Sequence, residues 1–96
     1  YNDPELTGQM MPSVVKAAGE DNVHLVRAVT GAEDFSFYAQ KAPGLFLFLG
    51  GMPEGTPRGE AAPHHTPDFF VDDAGMKLGV RTFCYMTVDY MEQFNK

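Results

Sequence analysis

The run Leu45-Phe46-Leu47-Phe48-Leu49 decides how this chain is read: five large apolar residues follow one another without a polar break. A strand with one wet face would alternate apolar and polar side chains. An unbroken run belongs to a strand covered on both faces, as in a parallel sheet. Pro43-Gly44 stops whatever precedes the run, and Gly50-Gly51 ends it.

Upstream, Thr30-Gly31-Ala32-Glu33 has the form of a capping box. The Thr30 hydroxyl would accept from the backbone N–H of Glu33, and the Glu33 carboxylate from the N–H of Thr30. A helix is expected to follow through Lys41, with Phe35, Tyr38 and Ala39 on its buried side. Glu33 therefore carries two readings. It is a cap, or it is a carboxylate at a strand-to-helix junction, where open α/β sheets place their binding crevice. Val23 to Val29 reads as another strand, with His24 facing solvent. Before it, Asp3 caps a helix, Pro4 takes the first helical position and Glu5 suits the positive end of the dipole. Leu6, Met10, Val14 and Ala18 give that helix one apolar face, with Met11 and Val15 beside them; Gly19 ends it. Pro12 sits inside the pattern and predicts a kink, or a break near Met10-Met11.

Downstream, residues 50 to 71 form a long connection with four glycines and four prolines. Loops beyond about 15 residues are uncommon in compact domains and are usually functional or disordered. Near its far end stands Pro63-His64-His65-Thr66-Pro67. Each proline fixes its own φ and pushes the preceding residue towards an extended conformation. A histidine on so stiff a segment suits a metal ligand or a catalytic base. Most loop histidines bind nothing, however, and metal sites are normally closed by three or four ligands, so one His-His pair is not a site. Asp72-Asp73 opens the last helix, where Met76, Val80, Phe83, Cys84, Thr87 and Met91 trace an apolar face. On that face Cys84 reads as a small core residue and not a nucleophile. Gly75 and Gly79, four apart, would let another element approach closely.

The order helix, strand, helix, strand, long loop, helix signals α/β architecture with a parallel sheet. Two strands make a poor sheet, and 96 residues suit one small domain or a piece of a larger one. The chain begins at Tyr1 without an initiator methionine, so more polypeptide is expected upstream. Apolar residues make up 44% and charged residues 21%, a globular composition. The net charge of −6 argues against nucleic acid and anionic membrane surfaces as partners. No apolar run approaches the ~20 residues that span a bilayer. Cys84 is the only cysteine, so no internal disulfide forms; this fits a reducing compartment and a cytoplasmic protein.

Three motifs in order carry a resemblance: Gly31-Ala32-Glu33-Asp34-Phe35-Ser36-Phe37-Tyr38, Pro43-Gly44-Leu45-Phe46-Leu47-Phe48-Leu49-Gly50, and His65-Thr66-Pro67-Asp68-Phe69 with Asp72-Asp73. Together they resemble the C-terminal end of the aminoacylase and carboxypeptidase type of zinc amidohydrolases. The branch includes hippurate hydrolases, N-acyl-amino-acid amidohydrolases and indoleacetyl-amino-acid hydrolases. Asn2-Asp3-Pro4 is similar to the point where that family's chain leaves its lid domain. The resemblance implies that residues 1–4 end the lid-to-catalytic connection. It makes residues 5–96 the C-terminal α-β-α-β-α portion of a three-layer, mostly parallel-sheet catalytic domain. It also implies two divalent metal ions sharing a water, zinc by default with manganese, cobalt or nickel as alternatives. His65 would be one metal ligand. His64 stands where relatives often carry leucine, and no ligand role is transferred to it. Glu33 and Asp34 match a Glu-Asp-Phe motif near the active site. The remaining ligands, the general base, the lid and any dimer contact would lie upstream. The substrate class implied is an N-acyl amino acid or small peptide, and this segment alone would be inactive. The competing readings are a free-standing α/β interaction module and an inactive relative without catalysis.

Overall fold

The computed structural model describes residues 1–29 and 31–94, which form an elongated body of 47 × 28 × 20 Å. Three α-helices organise it: α1, Pro4–Ala18; α2, Phe35–Ala39; and α3, Met76–Phe94. Short 3₁₀ turns at Glu20–Asn22, Arg58–Glu60 and Asp73–Gly75 complete the regular structure.

Helix α1 begins and ends where local chemistry dictates. The Asp3 carboxylate accepts from the N–H of Leu6 at 2.8 Å, and Pro4 opens the first turn. At the far end Gly19 has φ 86° and its N–H reaches the Val15 carbonyl at 2.7 Å. The Ala18 carbonyl accepts from the Asn22 amide and the Ala17 carbonyl from Arg81, so side chains serve the last orphan acceptors. The helix is not broken at Met10-Met11. Pro12 and Gly8 both lie on the exposed side, so the Gly8 carbonyl that Pro12 cannot serve faces water. The opposite side buries Met10, Ser13, Val14 and Ala17, the buried residues among those described.

This face packs on α3, but not on the α3 face expected. Val80, Phe83 and Met91 are more than half exposed, and Met76 and Cys84 are exposed as well. The inner side is instead Leu78, Gly79, Thr82, Tyr85, Met86 and Asp89, continuing from Gly75 of the turn before it. Cys84 is accordingly a surface thiol here. Leu78, Tyr85 and Met86 add apolar side chains off the expected face, so hydrophobic periodicity alone does not choose the inner side. Close approach and charge choose it. A Cβ at Gly79 would lie 2.9 Å from a Leu49 methyl, and one at Gly75 would lie 3.1 Å from the Gly50 carbonyl oxygen. Asp89 accepts from Ser13 at 2.7 Å and pairs with Lys16 at 2.8 Å, locking the register of α3 on α1.

Among the described residues there is no strand. Leu25, Val26 and Val29, expected in a strand, are exposed, Leu25 completely so. Leu45 is half-buried and Phe46 to Leu49 are exposed. A strand needs a neighbour, and the run 45–49 finds only a substitute for one. The Asn2 carboxamide donates to the Phe46 carbonyl at 3.0 Å and accepts from its N–H at 2.8 Å. The N–H of Asp3 reaches the Gly44 carbonyl at 2.9 Å. Asn2 thus offers the donor and acceptor that an adjacent strand would supply. Helix α2 is shorter than expected, ending at Ala39. Phe35 and Ala39 pack where a Cβ on Gly44 would be, at 3.2 Å, while Tyr38 points outward and is 72% exposed. The Phe35 ring meets Phe46 at 5.4 Å, and Phe46 meets Phe48 edge-on at 5.6 Å.

Candidate functional site

The long connection 50–71 leaves and returns at one point. The N–H of Asp72 donates to the Gly51 carbonyl at 2.6 Å, and Val71 packs 3.4 Å from where a Cβ on Gly51 would sit. The glycine face of α3 presses on Leu49 and Gly50 just before the loop departs. The Asp72 carboxylate accepts from the N–H of Ala74 at 3.2 Å and starts the turn into α3. A closed base of this kind lets a loop with little regular structure present side chains at a defined place.

The histidine pair occupies a tight turn over Pro63–Thr66. His65 has φ 63°, and it is the one non-glycine residue with positive φ among those described. That conformation is uncommon outside glycine, although histidine is among the residues enriched there. His64 and His65 form a hydrogen-bonded turn, and the Thr66 hydroxyl donates to the Pro63 carbonyl across it at 2.7 Å. A second turn follows at once, closed by the Phe69 N–H on the Thr66 carbonyl at 3.2 Å. The His64 ring stands edge-on to Phe69 at 4.8 Å and 71°. The two imidazoles are 6.4 Å apart, and both residues are exposed.

Other candidate residues do not join them. Glu33 and Asp34 are exposed at the start of α2, where Glu33 Oε1 accepts from the N–H of Phe35 at 3.3 Å. Glu33 therefore makes a capping contact, though to Phe35. The expected partner Thr30 lies outside the described residues, as does that half of the capping box. His24 is exposed, as expected. Among the described residues no three His, Cys, Asp or Glu side chains gather to hold a metal ion. An open apolar groove of about 440 Å³ between α1 and α3, lined in part by Met10, Phe35, Met86 and Met91, includes no residue of the loop 50–71. Two features escaped the sequence reading: the clamp from Gly51 to Asp72, and the turn-closing hydroxyl of Thr66. The second had a signal, since a threonine three residues after an acceptor carbonyl is a known competitor for backbone hydrogen bonds. The first had none, because it joins residues 21 apart through backbone atoms alone.

The turn presents an exposed imidazole beyond a closed loop base. The description Peptidase family M20/M25/M40 matches residues 1–89. The chain belongs to this peptidase family. Thermostable carboxypeptidase 2 of Saccharolobus solfataricus is 35% identical over 89 residues, covering 93% of this chain and 21% of the relative. A probable hydrolase of Synechocystis is 33% identical over 93 residues, covering 95% of this chain and 23% of the relative. The IAA-amino acid hydrolase ILR1-like 4 of Arabidopsis thaliana is 33% identical over 73 residues, covering 76% of this chain and 16% of the relative. The M20/M25/M40 chain thus spans about a fifth of the length of the curated relatives it matches. No solved structure matches it. No helix among the described residues is long and apolar enough to cross a membrane.

Proposed function

We propose that this M20/M25/M40 chain serves a metal-dependent amidohydrolase or peptidase that cleaves the amide bond of N-acyl amino acids or small peptides. In this reading His65 donates one imidazole nitrogen to a divalent ion, zinc by default. The observation that supports it most is the His65 turn itself. An imidazole is held in an unusual backbone conformation, exposed, at the end of a loop whose base is clamped. Neutral imidazole is a common zinc ligand, so the donor chemistry fits. One donor fits as a part of a site and not as a whole one, and the remaining ligands are assigned to polypeptide beyond this chain. Two bound ions would polarise the scissile carbonyl and lower the pKa of the attacking water. This chain's own part is to orient one ligand and hold it on a stiff support. Glu33 and Asp34 stay as a cap and its neighbour, with Glu33 the one to test for an active-site role.

The same reading makes residues 1–4 the entry from a lid and residues 5–96 the C-terminal part of a three-layer α/β domain. The extended run 45–49 would find its strand neighbours there. The compartment proposed is the cytoplasm, and the chain alone should be inactive. The test is His65→Ala in the full-length enzyme, with bound zinc measured by elemental analysis beside turnover of an N-acyl amino acid. Loss of about one zinc per subunit with loss of turnover is expected, since a site of three or four ligands is opened by removing one. Unchanged zinc and turnover would eliminate the ligand assignment.

A further inference from the structure

We infer that Thr66 is a positioning residue for His65, acting through its hydroxyl. The inference rests on the reading of His65 as a metal ligand and extends it to the group that fixes that ligand. Three observations converge. His65 has φ 63°, a conformation that costs an ordinary side chain energy and persists only where surroundings enforce it. Across the turn that holds it, Pro63–Thr66, the Thr66 hydroxyl donates to the Pro63 carbonyl at 2.7 Å. The backbone of Thr66 also accepts from Phe69 at 3.2 Å, which fixes the threonine itself. The hydroxyl is therefore the only side-chain hydrogen bond spanning His64 and His65 among the described residues. The His64 ring, edge-on to Phe69 at 4.8 Å, braces the same turn from its other side.

Without the hydroxyl, the turn loses its one side-chain hydrogen bond across His64 and His65, and His65 is less restrained at positive φ. At negative φ its Cα–Cβ bond would point in another direction. A metal ligand displaced by even an ångström binds its ion less well, since coordination tolerates only small deviations in distance. The residue that restrains a ligand's backbone is thus expected to act on metal affinity as partners that orient ligating side chains do.

The experiment uses the full-length protein and compares Thr66→Val, Thr66→Ala and Thr66→Ser with wild type and with His65→Ala. Zinc affinity is read by competition with a chromophoric chelator, and ligand geometry from the visible absorption of the cobalt-substituted protein. Thr66→Val is expected to weaken zinc binding by about tenfold or more and to change the cobalt spectrum. Thr66→Ser, which keeps the hydroxyl, is expected to match wild type in both. Thr66→Ala carries the same expectation as Thr66→Val and replaces it if the valine does not fold. Wild-type affinity and spectrum in both Thr66→Val and Thr66→Ala, beside a His65→Ala variant that loses zinc, would overturn the inference and leave the ligand reading standing. Equal impairment in Thr66→Ser and Thr66→Val would overturn it too, assigning the effect to packing and not to the hydroxyl. If His65→Ala retains its zinc, the ligand reading fails and this inference with it.

Discussion

Gly8, Gly75 and Gly79 show how differently one residue type acts in this chain. A Cβ at Gly8, inside α1, meets nothing within 4 Å. One at Gly79 meets a Leu49 methyl at 2.9 Å, and one at Gly75 meets the Gly50 carbonyl oxygen at 3.1 Å. Alanine in a helix interior is favoured over glycine by about 1 kcal/mol. Gly8→Ala should therefore stabilise the protein by up to about 1 kcal/mol. At Gly79 the same gain is offset by crowding, but Leu49 is half-exposed and its methyl can swing aside, so the change should fall within about 1 kcal/mol of neutral. At Gly75 the obstacle is backbone next to the loop clamp, and about 1–3 kcal/mol should be lost. Urea denaturation midpoints should rank Gly8→Ala above Gly79→Ala above Gly75→Ala. A Gly75→Ala midpoint equal to that of Gly79→Ala would refute the close approach of α3 to Gly50.

The pairing of α1 with α3 depends on a polar contact as much as on apolar area. Lys16 Nζ lies 2.8 Å from Asp89 Oδ2 and 4.6 Å above the Tyr85 ring, and Ser13 donates to the same carboxylate. The hydrogen bonds from Lys16 and Ser13 hold the Asp89 carboxyl below the ordinary aspartate range. The hydrogen bond to Asp89 raises the Lys16 ammonium above the ordinary lysine range. A carboxyl depressed on folding contributes stability above its unfolded pKa and loses it as pH falls through the folded value. A raised ammonium contributes stability below its unfolded pKa and loses it as pH climbs through the folded value. The bridge's contribution is therefore full between about pH 4 and about pH 10, and is lost as pH falls through the lowered Asp89 value or climbs through the raised Lys16 value. Asp89→Asn, which leaves Ser13 an acceptor, should flatten both limbs of a melting-temperature profile against pH. It should also remove part of the salt dependence, because the bridge is partly exposed and open to screening. A variant whose profile overlays wild type would show that the contact adds nothing to the helix pairing.

Taken whole, the molecule has far more apolar surface outside than inside. Among the described residues Met10, Val14 and Ala17 are the buried apolar ones, while Phe37, Phe48, Phe83 and Val80 are each more than 60% exposed. A chain that leaves such patches uncovered is normally an interface or part of a larger core. Expressed alone, the 96-residue chain should bind a hydrophobic dye and self-associate, and co-expression with the further polypeptide that the proposed function calls for should abolish both. A monomeric, dye-silent chain with a cooperative melt would favour the free-standing module instead.

The sequence by itself determined the limits of α1 and the proline-bracketed segment that carries His64 and His65. Each of these depends on neighbours within about four residues: Asp3 on Leu6, Gly19 on Val15, Thr66 on Pro63. The resemblance carried by Glu33-Asp34-Phe35 and His65-Thr66-Pro67 likewise led to the peptidase family that the match over residues 1–89 establishes. Only the tertiary structure decided which side of α3 turns inward, because the close approach at Gly79 and the Lys16–Asp89 pair, not the apolar periodicity, select it. It also decided that the run 45–49 stands without strand neighbours among the described residues, and that residues 51 and 72 close the loop. Contacts between residues far apart in the chain arise from packing and backbone hydrogen bonds, and these leave no periodic mark on the residues that make them.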